Sequence, residues 1–111
     1  MELREEIAGE VAILDVKGRI DSTTASTLGD RLSAALAMRD RRLVLDLRQL
    51  EYISSAGFRV LLLAARRADE SASRLVLCGL SSKVQQLFDL GGFLDFFQIA
   101  SSRDDAISAA K

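Results

Sequence analysis

Short apolar runs alternate along the chain with stretches in which apolar residues recur every three or four positions. Residues 11–16 (VAILDV), 43–47 (LVLDL) and 75–78 (LVLC) are short apolar runs with the length and β-branched content of strands, and each gives way to turn chemistry. Residues 3–7 predict an edge strand, joined to the first of these by a hairpin through Ala8, Gly9 and Glu10, and residues 96–100 predict a last strand. Between the strands the period becomes helical. Ala25, Leu28, Leu32, Ala35 and Leu36 form one stripe behind a cap at Asp21 or Ser22. Residues 56 to about 69 predict a second, heavily covered helix that brings Arg66 and Arg67 to solvent near its end. A third spans residues 82–90, with Ser82 and Gln85 at capping-box spacing, Val84, Leu87 and Phe88 on one face, and Gly91 as its stop. Ser102, with Asp105 three positions on, opens a fourth.

The runs RLVLDL from Arg42 and RLVLCG from Arg74 each end in a turn that leads to a helix. A strand-helix-strand unit of this kind closes through a right-handed crossover, which makes its two strands parallel. The pattern therefore predicts an α/β fold, a mixed sheet of about five strands with about four helices packed on it. There is no proline and no shift in composition, so one domain is expected over residues 1–111. Functional groups in such sheets gather at the carboxyl ends of the strands, and Ser54 and Ser55 lie in a strand-to-helix turn.

Charge and missing residue types narrow the chemistry. The formal net charge is -1, from 15 basic and 16 acidic residues, so the chain has no strong field to draw in nucleic acid or anionic lipid. No apolar run reaches membrane-spanning length, and the start MELREEIAGE is too acidic for a secretory signal, so a cytoplasmic protein without membrane insertion is expected. There is no histidine, which removes Ser-His-Asp and Cys-His nucleophiles, and one cysteine makes a dedicated zinc site a poor expectation. Neither G-x-x-x-x-G-K-[ST] nor G-x-G-x-x-G occurs, and no cofactor is expected. Cys78, in an apolar run, reads as a buried structural thiol. A Ser-Lys hydrolase using Ser55 with Lys17 or Lys83 needs a desolvated lysine, and nothing in the sequence marks a pocket for one.

What remains is the stretch LEYISSAGFRVLLLAARR, from Leu50. Two serines before a helix commonly cap it, one hydroxyl accepting from a first-turn amide for about 1 kcal/mol. One hydroxyl suffices, which leaves the other free. Ala56 and Gly57 remove side-chain bulk beside it, so that another protein's backbone could approach, and an exposed Phe58 or Arg59 could frame the same spot. Local pattern alone leaves both uses of the pair open.

Three segments taken jointly carry a family resemblance: VKGRIDSTTASTL (16–28), LVLDLRQLEYISSAGFRVLL (43–62) and RLVLCGLSSKVQQLFDLGGFLDFF (74–97). Over nearly its whole length the chain resembles a STAS domain of the bacterial anti-sigma factor antagonist type. The resemblance implies a STAS-type fold and a non-enzymatic regulator that, unmodified, sequesters an anti-sigma factor. It implies that a serine two residues before the glycine, here Ser55, is phosphorylated by a partner that is both anti-sigma factor and serine kinase, and that a serine phosphatase resets the switch. The family often has an acidic residue before the acceptor and a second Ser or Thr after it. Ser54 and Ala56 stand there in this chain, which makes Ser54 a rival acceptor. Asp21 matches a family acidic residue in the neighbouring strand-to-helix loop, where its other use is an N-cap. The partner-binding surface implied comprises Asp21, Ser22, Thr23, Ser54, Ser55, Ala56, Gly57, Phe58 and Arg59. STAS domains also serve as subunits of membrane transport or signalling complexes without serine phosphorylation, and Ser55 would then be only a cap.

Overall fold

A hairpin begins the chain. Strand β1 (Glu2–Ala8) turns at Gly9, whose φ is +62°, into the longer β2 (Val11–Ile20), with antiparallel pairs running from Glu2 with Lys17 to Ala8 with Val11. The computed structural model describes residues 1–111, and after the hairpin come α1 (Ala25–Ala35), β3 (Arg42–Asp46), β4 (Leu50–Ile53), α2 (Ser55–Glu70), β5 (Arg74–Cys78), α3 (Ser82–Leu90), a 3-10 turn (Leu94–Phe96), β6 (Gln98–Ala100) and α4 (Arg103–Ala110). The sheet order is β1-β2-β3-β5-β6, parallel from β2 onward, while β4 pairs parallel with the far end of β2.

The sheet thus has six strands where about five were expected. The additional strand is β4, and it exists because β2 does not stop at Val16. Lys17, Gly18 and Arg19 continue the strand through a register shift, with Gly18 at φ +100°, so that Arg19 faces Tyr52 and Ile20 faces Ile53. The Arg19 guanidinium lies 4.4 Å from the centre of the Tyr52 ring, a cation-π contact that fastens the tail of β2 to β4. Two other expectations shift in register. Residues 94–96 wind into the 3-10 turn, so β6 starts at Gln98, and α3 is capped by Ser81, whose Oγ accepts from the Val84 N–H at 3.2 Å, in place of the expected Ser82. Ser102 caps α4 as expected, accepting from the Asp105 N–H.

The continuous apolar runs reflect strands covered on both faces. Leu14, Val16, Leu43, Leu45, Leu75 and Leu77 meet α1, α2 and α3 in a core of 20 buried residues. Their alternates Val11, Ile13, Val44, Val76 and Cys78 point to the other face, against Ala106 and Ala110 of α4. One buried residue is charged: Asp46, at the end of β3, is 3% exposed. Its Oδ1 accepts from the Arg48 N–H at 2.9 Å and its Oδ2 from Arg103 Nε at 2.9 Å. Arg103 also donates to Asp15 and to Glu6, so one guanidinium ties α4 to three strands, and these partners raise its pKa further above the ordinary arginine value.

Candidate functional site

Because Ile20 pairs with Ile53, the residues that follow them start two strand-to-helix turns side by side. Asp21 follows the first and Ser54 the second, and the Ser54 N–H donates to the Ile20 carbonyl at 2.8 Å. The additional strand is therefore what brings the two candidate loops together.

Ser54 is the N-cap of α2. Its backbone is extended, its Oγ accepts from the Gly57 N–H at 3.3 Å, and its carbonyl accepts from the Phe58 N–H at 3.0 Å. Ser55 is the first residue of the helix and exposed, and its hydroxyl is held by no other group of the chain. The division of labour left open by the local pattern thus has a geometric form: one serine caps, the other is free.

The residues after Ser55 divide between core and surface. Ala56 is half-buried against the main core. Gly57 is buried, and a Cβ placed on it would lie 2.6 Å from Ile53 Cγ1 and 2.7 Å from Ile20 Cγ2. Its missing side chain makes room for two isoleucines inside the protein, not for a partner's backbone outside, which corrects the expected role. Phe58 is likewise corrected. It is 5% exposed, edge-on to Phe88 at 4.8 Å and stacked on Phe93 at 4.4 Å, because it shares the inward stripe of α2 with Leu61, Ala64 and Ala68. Arg59, one helical turn beyond Ser55, is exposed as expected.

Ser55, Arg59, Leu62, Leu63, Arg66 and Phe93 line a shallow groove of about 290 Å³ on the outer side of α2, with no carboxylate among them. Leu63 is 56% exposed. Leu62, Leu63, Arg66 and Phe93 were not among the candidate residues, although Ser55, Arg59, Leu62 or Leu63, and Arg66 recur at helical spacing. Phe93 reaches the groove from the turn after α3, which the sequence around α2 cannot show.

In the neighbouring loop Asp21 is bound by its own turn. Its Oδ1 accepts from the Thr23 hydroxyl at 2.7 Å, the Thr23 N–H at 2.9 Å and the Thr24 N–H at 3.1 Å, and its carbonyl accepts from the Ala25 N–H at 2.9 Å. The Thr23 hydroxyl and then its amide are the leading causes that lower the carboxyl to about 2, so Asp21 is ionised throughout the neutral range. It closes the turn three residues ahead of Thr24, which takes the N-cap position of α1 in place of the expected Asp21 or Ser22; the Thr24 hydroxyl makes no cap bond to the helix but accepts from the Asp21 N–H at 2.9 Å and donates to the Arg19 carbonyl at 3.1 Å. Ser22 and Thr23 are exposed beside it.

The cysteine and the candidate lysine bases are apart from this surface. Cys78 is fully buried, and burial, with Asp46 adding to it, pushes its thiol up to about 11. Lys17 and Lys83 are exposed, and neither lines the groove beside Ser55.

The STAS domain profile matches residues 2–106. Over 111 residues the chain is 40% identical to the provisionally named anti-sigma factor antagonist BtrV of Bordetella bronchiseptica, spanning 100% of this chain and 96% of that protein. In fold it is similar to an anti-sigma factor antagonist from Mycobacterium paratuberculosis, with a TM-score of 0.87 and 24% identity over 98% of this chain and 92% of that one. It is also similar to the Bacillus cell fate determinant SpoIIAA in its phosphorylated form, with a TM-score of 0.71 and 18% identity over 99% and 100% of the two chains.

Proposed function

The chain belongs to the STAS domain family, among its anti-sigma factor antagonists, and on that premise we propose that Ser55 is the phosphorylation switch of a surface that binds an anti-sigma factor. In this reading the protein is a regulator and not an enzyme. Unmodified, it holds the anti-sigma factor and so frees the sigma factor. A serine kinase, the anti-sigma factor itself, modifies Ser55, and a serine phosphatase restores it. The proposed place of action is the cytoplasm, and no helix is long and apolar enough to cross a membrane.

One observation carries the choice of serine: Ser54 is committed to the cap of α2, while Ser55 is exposed with an uncommitted hydroxyl. The proposed docking surface has two parts. One is the outer face of α2, with Ser55, Arg59 and the apolar groove beyond them; the other is the adjoining turn with Asp21, Ser22 and Thr23.

Phosphorylation adds about -1.5 to -2 charge at Ser55, where the free amides and dipole of the helix start favour an anion, so the fold survives the change. The docking face does not stay the same. A bulky dianion arrives where a small hydroxyl had met the partner, and the groups opposite must be desolvated against it or repelled by it. A penalty of ~3 kcal/mol weakens binding more than a hundredfold, enough to release a partner.

The test is to isolate the complex from cells that make the protein, add ATP, and map phosphate by peptide mass spectrometry while following release. Phosphate on Ser55 accompanied by release is expected. Phosphate on Ser54, or recovery of a transport ATPase as the associated protein with no phosphate incorporated, would overturn the reading.

A further inference from the structure

Resting on the reading of Ser55 as the acceptor, we propose that Arg59 is the phosphate's own counter-ion within the chain. One modification then changes the docking face twice, adding a dianion and withdrawing a cation.

Ser55 and Arg59 are four residues apart in α2 and line the same groove. Side chains at that spacing are neighbours on a helix, with Cβ atoms about 5–6 Å apart, and the pair is better ordered when the anion is the N-terminal member, as it is here. The guanidinium fork matches phosphate oxygens with two parallel N–H donors, a geometry that a lysine does not reproduce. Arg59 is also available. The ion pairs of the chain engage Arg31, Arg42 and Arg103, and the groove holds no acid to compete for Arg59.

In the unmodified protein this exposed cation, beside Leu62 and Leu63, is open to an acidic group on the partner. After phosphorylation it turns along its own helix to the phosphate and is lost to the partner. Arg66 borders the same groove but stands eleven residues from Ser55, ~16 Å along the axis. That separation exceeds the Debye length of ~8 Å at physiological salt, so Arg66 stays with the partner in both states and supplies an internal control.

The experiment uses the full chain with phosphoserine installed at position 55 during translation, which makes the pairing measurable whichever kinase acts in the cell. Phosphorus NMR then follows the second ionisation of the phosphate, whose ordinary pKa is about 6. Arg59→Gln is expected to raise the value by about half a pH unit over that of the otherwise unaltered phosphoprotein, and Arg66→Gln to leave it in place. Equal values with and without Arg59 would overturn the proposal. Binding of the anti-sigma factor provides a second readout. Arg59→Gln should weaken the unmodified form roughly twofold to threefold and leave the phosphorylated form unchanged, whereas Arg66→Gln should weaken both alike. A wider gap between the two forms in Arg59→Gln would mean that Arg59 shields the phosphate from the partner, contrary to the proposal. If phosphoserine at 55 leaves partner affinity unchanged in the otherwise unaltered chain, the switch reading fails by itself, while the titration still decides the Arg59 pair.

Discussion

Gly57 offers the sharpest test of how the site is built. A Cβ there falls 2.6 Å and 3.2 Å from two carbons of Ile53 and 2.7 Å from Cγ2 of Ile20, where carbon contacts settle at about 3.5–4.0 Å. Ile20 is 0% and Ile53 2% exposed, and both are β-branched and stiff at χ1, so neither can rotate away cheaply. Overpacking of this kind costs about 1–3 kcal/mol, against which alanine regains up to ~1 kcal/mol of helix propensity over glycine. Gly57→Ala should therefore lose about 1–2 kcal/mol, and Gly57→Val about 3 kcal/mol or more because its branches enter the same space. For a chain of this size the alanine variant should melt about 5–10 °C lower by calorimetry. Its affinity for the anti-sigma factor, measured well below the transition, should change little, since the added methyl faces inward. An alanine variant as stable as the parent would show that the isoleucines give way freely, and a large loss of affinity at full stability would restore Gly57 to the docking surface.

The two serines should separate in stability: Ser54→Ala loses the cap and about 1 kcal/mol in urea denaturation, while Ser55→Ala stays within about 0.5 kcal/mol, and equal losses would contradict the division between them. Arg103→Ala strands Asp46 in the sheet interior and should cost about 2–4 kcal/mol, with Arg103→Lys recovering little because one ammonium cannot span Glu6, Asp15 and Asp46; a loss below about 1 kcal/mol would show the network to be ornamental. Asp21 is held at about 2 against an ordinary 3.8, so the stability it lends is complete above pH 4 and disappears as pH falls through 2. The difference in stability between the parent and Asp21→Asn should accordingly shrink between pH 4 and pH 2, and a constant difference across that range would show that the turn does not depend on the ionised carboxyl.

How legible each element was depended on whether its cause was local. β2, β3 and β5 are covered on both faces and announce themselves as apolar runs. β4 does not. It has four residues, of which Glu51 is exposed and Tyr52 half-buried, and its partner is the polar tail of β2, where Lys17, Gly18 and Arg19 resemble a turn. A cap needs one hydroxyl and the chain supplies two, so a free hydroxyl was legible in the pattern of caps, but which serine keeps it depends on where α2 begins. The burial of Phe58 was legible in the period alone, since its spacing to Leu61, Ala64 and Ala68 puts it on the inward stripe of α2. The reason for Gly57 was out of reach, since it rests partly on Ile20, which joins it only through β4. Arg103 is similar, for its three carboxylates come from three strands distant in sequence.

The central claim is that a phosphate on Ser55 switches the docking surface, and its most direct measurement is the affinity of the anti-sigma factor, by calorimetric titration, for the chain carrying serine or phosphoserine at that position. The unmodified chain should bind more than a hundredfold tighter, with both forms equally folded by circular dichroism. Equal affinities for two folded forms would contradict the claim.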